Sequence, residues 1–279
     1  MKISLSNPQS RSRKLETLLC SIALTLPASV AHGAVLIDDN FTNSSGSSVN
    51  MENTQAVGVG TYENIQGNTN NLTITTVSGF GSGNVLQIGN NANTYFRAFN
   101  GGSSMKLSEL TTGQTLTMSF DFRTTGDTNA QNFGFGFLNS DSAIAFVNLD
   151  ARSTTPISEF KYRPGPGGFN MSTGGTSIST WTDIITPSAN NNIEFSITRT
   201  EVGYLLQYLL DGTEISSTTN ALTATSALDI TGIGFRWGEA PGTTTNIDNV
   251  FVEVVPEPSS LLLAGGGLSA LVLRRRRRQ

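Results

Sequence analysis

Three observations predict an all-β fold, an antiparallel two-sheet β-sandwich, for the middle of this 279-residue chain. Apolar and polar residues alternate with period two along many short segments, and no 3.6-residue apolar stripe competes with them. Leu116-Thr117-Met118-Ser119-Phe120-Asp121-Phe122 is the plainest case, with apolar side chains on one face and polar ones on the other. Tyr204 to Leu210, then Asp211-Gly212, then Thr213 to Ile215 reads as a hairpin closed by a type I′ turn, because Asp and Gly tolerate positive φ at both central positions. Gly, Asn, Ser and Thr fill the intervals at regular spacing, as in a two-sheet sandwich.

The elements follow in chain order. Arg11, Arg13 and Lys14 precede an apolar stretch from Leu18 to Val30, and small residues surround 31–34. These are the n-region, h-region and cleavage zone of a secretory signal peptide over residues 1–33. Cuts after Gly33 and after Ala31 both fit the small-residue requirement. Cys20 follows bulky Leu18 and Leu19 inside the apolar run, which speaks against lipidation. One sandwich domain is predicted over 34–254, long enough for a single core. Its strands are Val35–Phe41, Leu72–Val77, Val85–Ile88, Thr94–Phe99, Thr115–Phe122, Phe133–Leu138 and Ala143–Asn148. They continue with Ile157–Tyr162, Trp181–Thr186, Ile193–Thr200, Gly203–Leu210, Thr213–Ser217, Ile230–Trp237 and Thr245–Val254. The polar stretch Asn40 to Asn71 is a long loop or an edge excursion.

Charge and composition then exclude function classes. Between Val35 and Val255 stand 8 Lys and Arg against 19 Asp and Glu, a net charge of −11. An acidic, arginine-poor surface argues against nucleic acid and anionic membranes as partners, since both need basic patches. The only Cys and the only His, Cys20 and His32, lie within the leader. A Ser-His-Asp or Cys-His nucleophile system and a His- or Cys-ligated zinc are therefore excluded from the sandwich. No disulfide staples it, so its core must stand alone.

The last 25 residues have three parts. Val255-Pro256-Glu257-Pro258-Ser259-Ser260 comes first, then an apolar run from Leu261 to Leu273, then Arg274, Arg275, Arg276, Arg277 and Arg278 before Gln279. Read as a helix, the apolar run covers roughly 20 Å of a hydrocarbon core about 30 Å thick, short for a permanent span. Five consecutive arginines hold that end in the cytoplasm. Pro256 and Pro258 push Val255 and Glu257 toward extended backbone, the form in which a protease takes its substrate.

This order of parts resembles the PEP-CTERM sorting signal of Gram-negative bacteria, which membrane proteases called exosortases recognise. The resemblance implies a motif over 255–260 (Val255, Pro256, Glu257, Pro258 and Ser259 within it), a transmembrane helix over 261–273 and a cytoplasmic arginine anchor over 274–278. It also implies exosortase as processing partner after the secretion translocon and signal peptidase. The chain would pass through the inner membrane transiently and then reach the cell surface or the extracellular space, commonly in exopolysaccharide-producing bacteria. Thr115–Phe122 followed by Phe133-Gly134-Phe135-Gly136-Phe137 resembles the concanavalin-like jelly roll of legume lectins and laminin-G modules. The last strand, Asn246 to Val254, is similar to the closing strand of exported jelly-roll modules.

Two constellations are candidate sites. Asp38, Asp39 and Asp248 stand near the start and end of the domain, where the first and last strands of a jelly roll lie close. Their oxygens suit a structural calcium ion, the one candidate cofactor; the competing reading makes them solvated carboxylates at strand ends. Trp237, Phe169, Trp181 and Tyr162, with Tyr204, are aromatic candidates for stacking on pyranose faces of a polysaccharide; the competing reading makes them core and cross-strand packing. Phe169 follows the glycine-rich loop Pro164-Gly165-Pro166-Gly167-Gly168, and Trp237 ends a strand. No catalytic residue is assigned. The Glu-x-Asp-x-x-Glu strand of retaining jelly-roll glycosidases, which sets two carboxyl groups about 5–5.5 Å apart, is absent. The expectation is a non-catalytic structural or matrix protein, with a carbohydrate-binding module as alternative and a glycan hydrolase third.

Overall fold

The alternating segments fold as strands, and no α-helix occurs among the described residues. A computed structural model of the protein describes residues 33–41, 49–50, 62–66, 72–80, 84–88, 93–125, 132–139, 143–150, 157–163, 176–182, 189–237 and 244–256. The first strands are β1 (Ala34–Asp39), β2 (Val49–Asn50), β3 (Tyr62–Gln66), β4 (Leu72–Thr76), β5 (Asn84–Ile88) and β6 (Asn93–Ala98). Next come β7 (Met105–Lys106), β8 (Thr115–Thr125), β9 (Asn132–Leu138), β10 (Ala143–Asp150), β11 (Ile157–Arg163) and β12 (Thr176–Thr182). The last are β13 (Asn191–Arg199), β14 (Tyr204–Leu210), β15 (Thr213–Asn220), β16 (Asp229–Ile230), β17 (Gly232–Trp237) and β18 (Thr244–Val255).

They form an antiparallel two-sheet sandwich of jelly-roll type. One sheet has nine strands in the order β15-β14-β13-β8-β18-β5-β4-β2, with β1 also paired to β18. The other has seven, β12-β11-β10-β9-β17-β6-β3. The small pair β16-β7 stands apart from both sheets. β18 changes neighbours midway: Thr245 to Ile247 face β5, whereas Val250 to Val254 face β1. Its register against β8 slips between Asp248 and Phe251, and Asn249 there has φ of 50°. Such a bulge re-aims a strand, and here it accompanies the change of neighbour.

The core lies between the sheets, and β9 shows how the sequence builds it. Phe133, Phe135 and Phe137 point inward and are buried, while Gly134 and Gly136 take the outward positions. From the facing sheet Phe120 enters this cluster, with Phe135 at 5.0 Å and Phe235 at 5.2 Å between ring centroids, both edge to face. On the outward face Phe96, Leu138, Ala143 and Phe146 make a second, smaller buried cluster. They lie over glycines: a Cβ on Gly134 or Gly136 would collide with Phe146, and one on Gly234 with Leu138. At Gly232 a Cβ would meet the Arg97 backbone carbonyl and the Phe96 ring. Backbone yields less easily than a flexible side chain, so Gly232→Ala is expected to lose about 2–3 kcal/mol of stability. A lower urea midpoint at unchanged slope would show it; an unmoved midpoint would mean that β6 gives way there.

Most strand boundaries match expectation within two residues. The Asp211-Gly212 turn has φ of 50° and 73°, positive at both residues as type I′ requires. Two readings need correction, and a third is decided between its alternatives. The strand expected over Trp181–Thr186 is β12, Thr176–Thr182; its run of hydroxyl residues passes for a turn until pairing with β11 supplies the ladder. The strand expected over Ile230–Trp237 is interrupted at Thr231, whose amide donates to the Leu138 carbonyl and whose carbonyl accepts from Phe99. The stretch Asn40 to Asn71 contains β2 and β3, which close the edges of the two sheets. The helices expected at the two termini lie outside the described residues, and among the described residues no helix is long and apolar enough to cross a membrane.

Candidate functional site

The strands that adjoin the two expected processing segments, β1 and β18, are paired neighbours. β1 starts at Ala34, opposite Val254 of β18, and Val255 is still paired with Thr115 of β8. Gly33 lies so close to the Val254 carbonyl that a Cβ there would overlap it. Pro256 then ends the ladder, because proline has no amide hydrogen to donate. Strand and motif therefore join without a spacer, the motif's first residues being held in an inner strand. Glu257, Pro258 and Ser259, like Arg274, Arg275, Arg276, Arg277 and Arg278, lie outside the described residues.

The carboxylate candidates sit where β1 meets β18, as the jelly-roll expectation required, but they face different surroundings. Asp38 pairs with Phe251 and is exposed; Asp39 pairs with Val250 and is buried. Asp248 is buried beside Asp121 of β8, and its Oδ1 accepts from the Asn249 amide at 2.8 Å. Burial pushes its pKa up, the Asn249 amide opposes this, and Asp121 adds to it. Among the described residues no three His, Cys, Asp or Glu side chains come together to hold a metal ion.

Asp39 also has a partner that sequence reasoning missed. It faces Arg97 of the other sheet, with Nε to Oδ2 at 3.9 Å and both side chains fully buried. The guanidinium also donates from Nη1 to the Ala98 carbonyl and from Nη2 to Asn100 Oδ1 at 3.3 Å, and it lies 5.8 Å from the Tyr62 ring centroid. Asp39 Oδ1 accepts from the amide of Phe41, a buried residue with φ of 54°. Burial pushes the Asp39 carboxyl up to about 6, against the lowering by Phe41 and Arg97; Asp38 and Asp248 push it further. The Tyr62 hydroxyl is driven well above its ordinary range by burial and then by Asp39. A signal for this pair was present. Alternation sets Arg97 in line with Tyr95 and Phe99, and Asp39 in line with Ile37 and Phe41, so two opposite charges occupy inward positions.

The aromatic candidates among the described residues stand on separate strands, Tyr162 on β11, Trp181 on β12, Tyr204 on β14 and Trp237 on β17. Tyr162 on β11 is half-buried and packs against the main core. Trp181 stands opposite Ser158, and Trp237 opposite Phe133 and Asn93. Phe169 lies outside the described residues. Tyr204 is buried with the Arg199 guanidinium 4.7 Å over its ring.

With this geometry in place, comparison with known proteins is informative at two points. The fold is similar to that of an endo-1,3-beta-glucanase from Streptomyces sioyaensis, at TM-score 0.50 and 16% identity over 84% of this chain and 100% of that one. Two other similar structures are lectin II from Ulex europaeus, at TM-score 0.43 and 12% identity over 68% and 95%, and the carbohydrate-binding module CBM66 from Bacillus subtilis, at 0.43 and 11% over 69% and 94%. At these identities the likeness is one of fold. No curated protein matches the sequence. Residues 254–278 match the model of the PEP-CTERM protein-sorting motif, starting in the last two residues of β18. The chain is thus a jelly-roll sandwich that carries a PEP-CTERM sorting motif, and the motif implies an exported protein held transiently in the membrane until exosortase processes it.

Proposed function

We propose that this is a non-catalytic structural protein of the cell surface or extracellular matrix, exported behind a signal peptide at 1–33 and freed by removal of the tail after the sandwich over 34–254 has folded. The observation that carries the proposal is the continuity of β18 with the motif. Cutting beyond Pro256 removes no described strand, so the product keeps both sheets. The test is expression in an exosortase-bearing host, with intact mass read on surface and membrane fractions. Changing Pro256, Glu257 and Pro258 together to alanine is expected to cut the processed form by about tenfold or more, the effect of losing roughly 1.4 kcal/mol of transition-state binding. Unchanged processing in that variant would overturn the proposal.

A second reading, a carbohydrate-binding module acting on exopolysaccharide, draws on the outward face of the seven-stranded sheet. There Lys161 of β11 is half-buried, opposite Phe146 in register and beside the buried cluster of Phe96 and Phe146. Retention on an exopolysaccharide gel that is lost in Lys161→Ala would favour this reading over a purely structural role.

A further inference from the structure

We infer that one end of the sandwich, marked by Val35, Val202 and Val255, docks on the lipid surface into which the C-terminal tail inserts. Among the described residues these three are the exposed large hydrophobic side chains, at 49%, 82% and 37% exposure. Single exposed apolar residues are ordinary on any protein, so their shared position is what counts. Val255 pairs with Thr115 of β8, and Thr115 pairs with Thr198 of β13. β13 ends one residue later, at Arg199, and the chain turns back through Val202 into β14. On the other side of β18, Val254 pairs with Ala34 and Glu253 with Val35. The valines therefore span the same ends of four adjacent strands, β13, β8, β18 and β1. At about 4.8 Å between strands, that band is roughly 15 Å wide. The opposite end of this sheet has Asp211, Gly212 and Thr213 exposed.

The occupant follows from where the chain goes. From Pro256 to Ser260 five residues separate the end of β18 from the apolar run at Leu261. Even fully extended they reach only about 18 Å, so an inserted tail keeps this end close to the bilayer. So short a tether raises the local concentration to the millimolar range, where a weak contact is populated. Fully burying one valine side chain contributes about 1.5–3 kcal/mol, and partial burial of three suffices under those conditions. The charges at this end point away from an anionic surface. Glu201 and Glu253 are acidic, and Arg199 already covers the Tyr204 ring. The contact is apolar, suited to uncharged lipid and little affected by salt. It holds Pro256 at a set height for the protease, and loss of the tether on cleavage lets the sandwich leave.

This inference rests on the reading of the tail as a membrane anchor, and the experiment separates the two. The chain without its leader, residues 34–279, which contains no cysteine, is reconstituted into phosphatidylcholine vesicles containing a quencher-bearing lipid. One variant carries an environment-sensitive dye at Val202→Cys and another at Thr213→Cys. Flotation with the vesicles reports the anchor; quenching reports docking. The expected result is flotation of both variants, with several-fold stronger quenching at 202 than at 213 and a return of the 202 dye to its aqueous spectrum when Val35→Glu is added. Flotation with equal quenching at the two positions would overturn docking and leave the anchor standing. Failure to float would overturn the anchor reading, and the docking with it.

Discussion

Asp39→Asn is expected to stabilise the protein by about 3 kcal/mol above about pH 7 and to change little below about pH 4. Two effects oppose each other here. Breaking a buried ion pair by removing one partner ordinarily costs about 3–5 kcal/mol, because the other charge is stranded. Taking a carboxylate fully out of water is itself costly, and asparagine removes that term. The geometry decides in favour of the second. The pair is long at 3.9 Å, and Asp39 Oδ2 has no hydrogen-bond partner among the described residues. Arg97 keeps the Ala98 carbonyl, Asn100 Oδ1 and the Tyr62 ring in either case. Asparagine also preserves an Oδ1 to accept the Phe41 amide.

The sign follows from linkage. The carboxyl titrates at 3.8 in the unfolded chain and at about 6 in the folded one. Between these values the folded chain binds a proton that the unfolded chain has released. The group's stabilising contribution is therefore complete below 3.8 and lost as pH rises through about 6. The asparagine variant loses this dependence, so the gap between variant and wild-type urea midpoints should widen across that window. A variant less stable than wild type at every pH would show that the ion pair outweighs burial.

Phe120→Ala is expected to cost about 3–5 kcal/mol at unchanged denaturant slope. Phe120 lies on β8, between β13 and β18, and its ring meets Phe122, Phe133, Phe135 and Phe235 at centroid distances from 5.0 to 6.4 Å. All four contacts are edge to face, the arrangement that adds most to simple burial. Three of the four rings belong to β9 and β17 of the facing sheet, so truncation opens a void across the sandwich. Those strands are tied to their own neighbours on both sides and cannot close inward. A loss below about 1 kcal/mol would mean that the surrounding rings collapse into the space.

The C-terminal tail was legible because its chemistry is local. Pro256-Glu257-Pro258 before an apolar run and an arginine cluster needs no tertiary partner to be recognised, and the family match over 254–278 agrees. Strand positions were legible for a related reason, since Phe133 to Phe137 and Leu116 to Phe122 state their inward and outward faces in their own alternation. β12 was shifted because Thr176 to Thr180 lacks that contrast, and its ladder comes from β11. The carboxylate candidates were half legible. Proximity of β1 and β18 follows from the fold type, whereas the fate of Asp39 depends on Arg97, a residue on the other sheet.

By itself, then, the sequence determined the all-β class, the inward and outward faces of most strands, the acidic charge, the exclusion of histidine and cysteine chemistry, and the sorting tail. Each is a property of composition or of neighbours along the chain. Only the tertiary structure decided that Asp39 meets Arg97, that Tyr162 packs on the core, and that Val35, Val202 and Val255 share one end beside the exit of the tail. These depend on strand order and register, set by how two sheets bury their aromatic faces together, and that is a condition on the whole chain at once.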